Sequence, residues 1–278
     1  MNPRPRPAPP IPTRTAPMPV EGARSHAFTE HFADGRPAQA LTRALAVEAP
    51  IAIEINGIGY AVMMGTPTDL GDYALGFCLS EQLIETEADF LSADAVEVPA
   101  GGWMLRIRLA GTGAGALLDR ARLRLAEGSC GLCGIESLEQ VLRPIKPVSS
   151  RVKIDQAVVF KALEALKDHQ PLGGETRAAH AAAFCTPDGA IVMAREDVGR
   201  HNAFDKLIGA LAHAGIAPSS GFVLLTARCS FELVQKAVIA GVPVLATISA
   251  ASTLAVDQAK AHGLRLLTLA RPDSLLES

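Results

Sequence analysis

The chain has 278 residues and a formal net charge of −3, with 49% apolar but only 4% aromatic side chains. That length suits one large domain or two small ones, the charge argues against wholesale nucleic-acid binding through a basic surface, and no apolar run reaches the roughly 18–20 residues of a membrane span. Five cysteines (Cys78, Cys130, Cys133, Cys185 and Cys229), an odd number scattered along a long chain, argue against a secreted disulfide scaffold, so a cytoplasmic protein is expected.

The first 19 residues, with eight prolines and three arginines, lack the apolar core of a secretory signal and predict a disordered tail over 1–20. No other element is predicted before "PIAIEINGIGYAVMMGTP", which reads as two strands joined at Asn56-Gly57. "TDLGDYALGFCLSEQLIE" predicts a helix capped by Thr68 or Asp69, its apolar stripe at Tyr73, Leu75, Phe77, Leu79 and Leu83, with Cys78 in the core. "AVEVPAGGWMLRIRLA" predicts a second hairpin, and "GTGAGALLDRARLRLAEG" a glycine-rich turn and a short helix. The glycines at 111, 113 and 115 do not have the dinucleotide-binding spacing, and no acidic residue closes a following strand.

Residues 142–156, "LRPIKPVSSRVKIDQ", read as a linker between an N-terminal α+β lobe (21–145) and a C-terminal α/β lobe (146–278). A helix follows in "DQAVVFKALEALKDHQ". Next comes a hairpin turning at Pro187-Asp188-Gly189, then a helix with Phe204, Leu207, Ile208 and Leu211 on its buried face. From 222 onward the pattern is βαβαβ, and its unbroken apolar strands imply a parallel sheet covered on both faces. The fold class expected is α/β, a mixed sheet with a C-terminal parallel βαβαβ.

Ligands of such sheets bind at the carboxyl ends of the strands. Those ends carry Thr226-Ala227-Arg228-Cys229-Ser230, then Ser249-Ala250-Ala251-Ser252, then Arg271. Ser230 and Ser252 stand where helix caps belong, and helix amino termini with Arg228 and Arg271 suit an anion. A second cluster, "REDVGRHNAFDK" (195–206), holds seven ionisable side chains. Glu196 and Asp197 suit a helix amino terminus, His201 and Asp205 share a helix face, and Arg200 is placed to meet a phosphate. His180 lies in an apolar strand leading toward that cluster, either as a core histidine or as part of the site.

Cys130 and Cys133 form a CxxC hemmed in by glycines, in "EGSCGLCGIE". A structural zinc site wants a second close pair, and none exists. The zinc deaminase signature also fails, because His180 is followed by Ala181 and Ala182. A thioredoxin-type dithiol belongs to a first strand–helix junction, and this pair lies in mid-chain. A helical "IESLEQVL" directly after the pair would lower the thiol pKa. Chemistry alone favours redox or sulfur transfer over zinc and leaves those two open.

Taken together, "YALGFCLSE", "CGLCG", "HAAAF", "REDVGRHNAFDKLIG", "ARCSFELVQKA" and "GVPVLATISAASTLAV" resemble the formate dehydrogenase accessory sulfurtransferase family, FdhD, from about Pro50 to Arg271. The resemblance implies a cytoplasmic homodimer, related in part to the cytidine deaminase architecture but without its zinc. It would take sulfur from a cysteine desulfurase and pass it to the molybdenum or tungsten bis-guanine-dinucleotide cofactor of formate dehydrogenase. It implies a persulfide on Cys130 assisted by Cys133, and cofactor contacts along Leu269, Ala270, Arg271, Pro272, Asp273 and Ser274. Beside these, Arg228, Ser230, Ser252, His180, Arg200, His201 and Asn202 are the residues expected to line the cofactor pocket, where guanine nucleotides would also bind, and no metal ligand is expected in the protein itself. The chain departs from the family pattern in "TRAAH", where paired small residues, often glycines, follow the threonine in a Thr-Gly-Gly-type run and here Thr176 is followed by Arg177, Ala178 and Ala179, and at Asp273, an acid where a phosphate is expected. Two rivals remain: a non-catalytic cofactor-binding chaperone for the dehydrogenase, and a zinc-dependent deaminase-like hydrolase.

Overall fold

The computed structural model describes residues 20–99, 101–111, 145–150 and 152–278. The expected tail over 1–20, apart from Val20, the glycine-rich turn and helix after Gly111, and the whole CxxC segment with Cys130 and Cys133 lie outside the described residues. Among the described residues three sheets form, one of two strands, one of four and one of six.

Strand β1 (Ala23–Glu30) pairs antiparallel with β2 (Gln39–Ala46) in a ribbon that keeps most of its side chains in solvent. Strands β3 (Ala49–Ile55) and β4 (Ile58–Gly65) turn at Asn56 and Gly57, both at positive φ (50° and 82°), the backbone that a two-residue hairpin requires. Asn56 also fixes a third strand. Its side chain donates to the Leu109 carbonyl (3.1 Å) and accepts from the Leu109 amide (2.9 Å). That residue ends β6 (Trp103–Leu109), which runs parallel to β3 and antiparallel to β5 (Phe90–Glu97). Helix α1 (Leu70–Ser80) covers one face of this sheet, burying Tyr73, Leu75, Phe77 and Cys78 against Ile51, Ile53, Ile55, Leu105 and Ile107. Asp69 holds the N-cap place without a side-chain cap bond. The helix stops at Ser80, so Leu83 packs from the turn beyond it.

The expected linker is only partly a linker. Ile145 and Val148 are buried in the C-terminal core, and the Val148 amide donates to the His262 carbonyl (2.9 Å). Helix α2 (Gln156–Ala165) starts at Asp155, whose carboxylate accepts from the Ala157 amide (2.8 Å). A short helix α3 (Pro171–Thr176), not foreseen from the sequence, precedes the hairpin β7 (His180–Cys185) and β8 (Ile191–Asp197). Helix α4 (Arg200–His213) follows, then β9 (Phe222–Leu225), α5 (Phe231–Ile239), β10 (Val244–Thr247), α6 (Thr253–Ala261), β11 (Arg265–Thr268) and the two-residue β12 (Leu276–Glu277).

The large sheet runs β12-β11-β10-β9-β7-β8, with β9, β10 and β11 parallel. Alternation decides which face each side chain meets. Phe184, Val223, Leu225, Leu245 and Leu266 face α4, α5 and α6, whereas Cys185, Phe222, Leu224, Val244 and Leu267 face α2. The two halves of the molecule meet where α1 crosses α4 at Gly76 and Gly209. A methyl on Gly76 would overlap the Asp205 carbonyl, and one on Gly209 the Asp72 carbonyl, so the helices touch backbone to backbone.

Candidate functional site, an arginine-lined cavity

Topology brings the polar groups to one edge of the large sheet. Strand β7 is antiparallel to β9, so its first residue, His180, lies at the carboxyl end of β9. Strand β8 is antiparallel to β7, so its last residue, Asp197, pairs with His180, and the chain that leaves it enters α4 at Arg200. The loops after β9, β10 and β11 open at the same edge. A cavity of about 360 Å³ there is lined by His180, Arg200, Thr226 to Arg228, Ile248, Ser249 and Arg271. Among the described residues three guanidiniums and no carboxylate line it, a donor set that suits an anion with several charged oxygens.

Two buried ion pairs set this edge. Asp197 and Lys206 meet at 2.7 Å with both side chains fully buried. Asp197 also accepts from the amides of Thr66 (3.0 Å) and Gly199 (2.7 Å) and from Asn202 Nδ2 (3.1 Å). Lys206 donates to the Thr66 carbonyl (2.9 Å) and the Glu196 carbonyl (3.3 Å). The corner that presents Arg200 is thus tied to the end of β4. One turn further along α4, Asp205 pairs with Lys236 of α5 (2.9 Å) and accepts from Ser80 Oγ of α1 (2.7 Å), while Glu81 also meets Lys236 (3.1 Å). Burial works against the Lys236 charge, but Asp205 and Glu81 more than offset it and raise the ammonium pKa.

The expected site residues divide by position. His180, Arg200, Arg228 and Arg271 meet at the cavity. Leu269 and Ala270 shape its rim through the main chain, their amides bonding to the carbonyls of Ser249 (3.2 Å) and Thr247 (3.0 Å), with Leu269 at φ 49°. Pro272, Asp273 and Ser274 are exposed in a turn closed by the Arg271 amide on the Ser274 carbonyl (2.7 Å). Ser252 caps α6 through the Ala255 amide (3.3 Å). Ser230 stands at the N-cap of α5 but makes no cap bond, and its buried Oγ has no hydrogen-bond partner among the described residues. Asn202 points inward to the Met64 carbonyl (2.8 Å) and Tyr73 (3.3 Å) rather than into the cavity. His201 is mostly buried. Burial first, then the charges of Lys236 and Arg200, push it down to about 3, so its ring is neutral. Glu196 was expected to serve the start of its own helix. Instead it accepts from the Leu172 and Gly173 amides (2.8 Å each) and caps α3. Thr226, Ala227, Ile248 and Ser249 complete the lining, and their place at strand carboxyl ends is the sequence signal for it.

The described cysteines are unsuited to nucleophilic chemistry. Burial pushes the Cys185 and Cys229 thiols up to about 12, and burial with Asp205 and Glu81 raises Cys78 as well. Among the described residues no group of three or more His, Cys, Asp or Glu is arranged to hold a metal, and no helix is long and apolar enough to cross a membrane.

Comparison with known proteins gives these features a family. The chain is 43% identical over 232 residues to the sulfur carrier protein FdhD of Variovorax paradoxus (strain S110), a match covering 84% of this chain and 83% of that one. To the protein of the same name in Xanthomonas euvesicatoria pv. vesicatoria it is 46% identical over 227 residues, or 82% and 80% of the two chains. A crystal structure from Desulfotalea psychrophila, assigned there as a formate dehydrogenase accessory protein, shares the fold with a TM-score of 0.70. It is 20% identical and the match covers 92% of this chain and 96% of that one. The family model described as the FdhD/NarQ family matches residues 46–276, and the chain belongs to that family.

Proposed function

We propose that this protein is a sulfur carrier serving formate dehydrogenase, with a persulfide on Cys130 as the carried form. Its relatives bear the name sulfur carrier protein. The buried state of Cys78, Cys185 and Cys229 leaves Cys130 and Cys133 as the thiols for that task. The Cys130 thiolate attacks the outer sulfur of a desulfurase persulfide. The S–S bond breaks, the donor leaves as a thiolate, and Cys130 holds the sulfur. Cys133 then attacks the inner sulfur, a Cys130–Cys133 disulfide forms, and the carried sulfur leaves as hydrosulfide with the electron pair that a sulfido ligand needs. A dithiol reductant restores the pair for the next turn.

The acceptor on this reading is a molybdenum or tungsten bis-guanine-dinucleotide held as substrate, and the observation that carries it is the arginine-lined cavity. Its donors fit a pyrophosphate. Among the described residues Arg200, Arg228 and Arg271 line the cavity without a competing carboxylate, and Arg200 Nε is buried without a hydrogen-bond partner. Thr226 and Ser249 add polar groups beside Ile248, the mixture that a nucleotide base and sugar require. The protein would act in the cytoplasm as a homodimer, with the deaminase-like resemblance extending to architecture and not to metal chemistry.

Titration calorimetry with GDP tests the cavity. Arg228→Ala and Arg271→Ala should each weaken binding about tenfold or more, while Arg106→Ala, on a strand of the other sheet, leaves it unchanged. Equal affinities in all three variants would remove the cavity from the mechanism.

A further inference from the structure

Among the described side chains lining the cavity, His180 alone is of the type whose ordinary pKa lies near neutral pH. Its Nδ1 lies 3.3 Å from the Thr226 carbonyl oxygen. A carbonyl only accepts, so Nδ1 carries a hydrogen in either protonation state, and the neutral ring keeps its lone pair on Nε2. Nε2 makes no hydrogen bond to a described residue. An anionic oxygen arriving beside that lone pair is repelled. The same oxygen beside an imidazolium accepts a charge-assisted hydrogen bond.

The charges around the ring come from every element that meets it. Across the ladder on β8 stands Asp197, already paired with Lys206, and Glu196 beside it is turned to the α3 amides. Helix α4 contributes Arg200 and the neutral His201, the loop after β9 contributes Arg228, and the loop after β11 contributes Arg271. Cations therefore outnumber unpaired anions around the ring, and a phosphate entering among them reverses the balance.

We propose that His180 couples phosphate binding to proton uptake: the ring is neutral among the three arginines and becomes the fourth cation, donating from Nε2, when a phosphate or pyrophosphate group binds. This rests on the anion-binding reading of the cavity. Burial lowers the His180 pKa below the ordinary imidazole value. The Thr226 carbonyl acts against that, Arg200 lowers it further, and Asp197 raises it. An anion at Nε2 raises it, so a proton is taken up at pH values between the free and bound pKa. Affinity then falls as pH rises through the bound-state pKa. His201 does not serve this purpose, since its Nε2 is buried away from solvent.

The experiment is titration calorimetry of the full chain with diguanosine pyrophosphate. Its two diester phosphates carry one charge each across the range, so the ligand contributes no proton. Runs at about pH 6, 7 and 8 in two buffers of different ionisation enthalpy read the proton count. Wild type should take up between zero and one proton and lose on the order of tenfold in affinity from pH 6 to 8. His180→Gln and His180→Asn should still bind through the arginines but without uptake or pH dependence. The Asn variant keeps a donor near the Thr226 carbonyl if the Gln variant folds poorly. A ring titration of His180 by NMR in wild type, with and without ligand, assigns the proton independently of both variants. Binding without net uptake, uptake that survives in a folded variant, or an unshifted His180 resonance overturns the coupling while leaving the cavity's role intact. No binding at any pH overturns the cavity reading and the coupling with it.

Discussion

At the first turn of α4 two neighbouring side chains meet opposite environments. Arg200 lines the cavity, whereas His201 sits under the helix beside Lys236 and is held neutral, its pKa pushed down to about 3. A histidine depressed in the folded state stabilises fully above its unfolded value, about 6.5, and loses that contribution as pH falls toward its folded value. Acid should therefore destabilise the protein through His201 by up to about 1.4 kcal/mol per pH unit below 6.5. Urea unfolding at pH 7.5 and 5.5 reads this, and His201→Gln should respond less steeply than wild type. An identical acid response in both would show the ring to be solvated. The Asp197–Lys206 pair answers to a different rule, since removing one partner strands a charge in the core. Lys206→Met should cost about 3–5 kcal/mol in urea unfolding, and a loss below about 1 kcal/mol would show that Asp197 is served by its amide donors alone.

Between elements, the decisive contact is the crossing of α1 and α4. Gly76→Ala and Gly209→Ala each drive a methyl into a backbone carbonyl of the other helix, so the helices must separate. Each should lose about 3 kcal/mol in thermal or urea unfolding. Gly71→Ala, in the same α1 but facing open space, should be neutral or gain up to about 1 kcal/mol from helix propensity. Comparable losses at all three positions would mean that the close approach of the two helices does not set the cost. What could be read from sequence follows the same division. Strands β9, β10 and β11 announce themselves as unbroken apolar runs, and Asn56-Gly57 specifies its turn locally. The ribbon of β1 and β2 gave no such signal, because its side chains face solvent and its alternation is not apolar. Helix α3 is six residues with two glycines, too short for periodicity, and its cap comes from Glu196, 24 residues away from Leu172.

On the scale of the whole molecule, the cavity was half legible. Arg200, Arg228, Arg271 and His180 could be named from the motifs and strand ends. That Asn202 in the same motif turns inward, and that Lys206 is fully buried, depends on β4 and α1 closing over α4, and local spacing carries no trace of that. The motif is dense in charge because it does two tasks, presenting Arg200 to the cavity while Asp197, Asp205 and Lys206 form buried ion pairs. If the arginine-lined cavity binds phosphates as proposed, affinity for GDP should fall as salt rises from about 0.05 to 0.5 M, and a salt-independent affinity would point to recognition of the base alone. The claim on which the rest depends concerns Cys130. Incubating the full chain with a cysteine desulfurase and cysteine, then weighing it under non-reducing conditions, measures it directly. A sulfur carrier gains the mass of one sulfur (about 32 Da) on a Cys130 peptide, and Cys130→Ala gains none. An unmodified Cys130 in wild type, or equal sulfur uptake by Cys130→Ala, contradicts it.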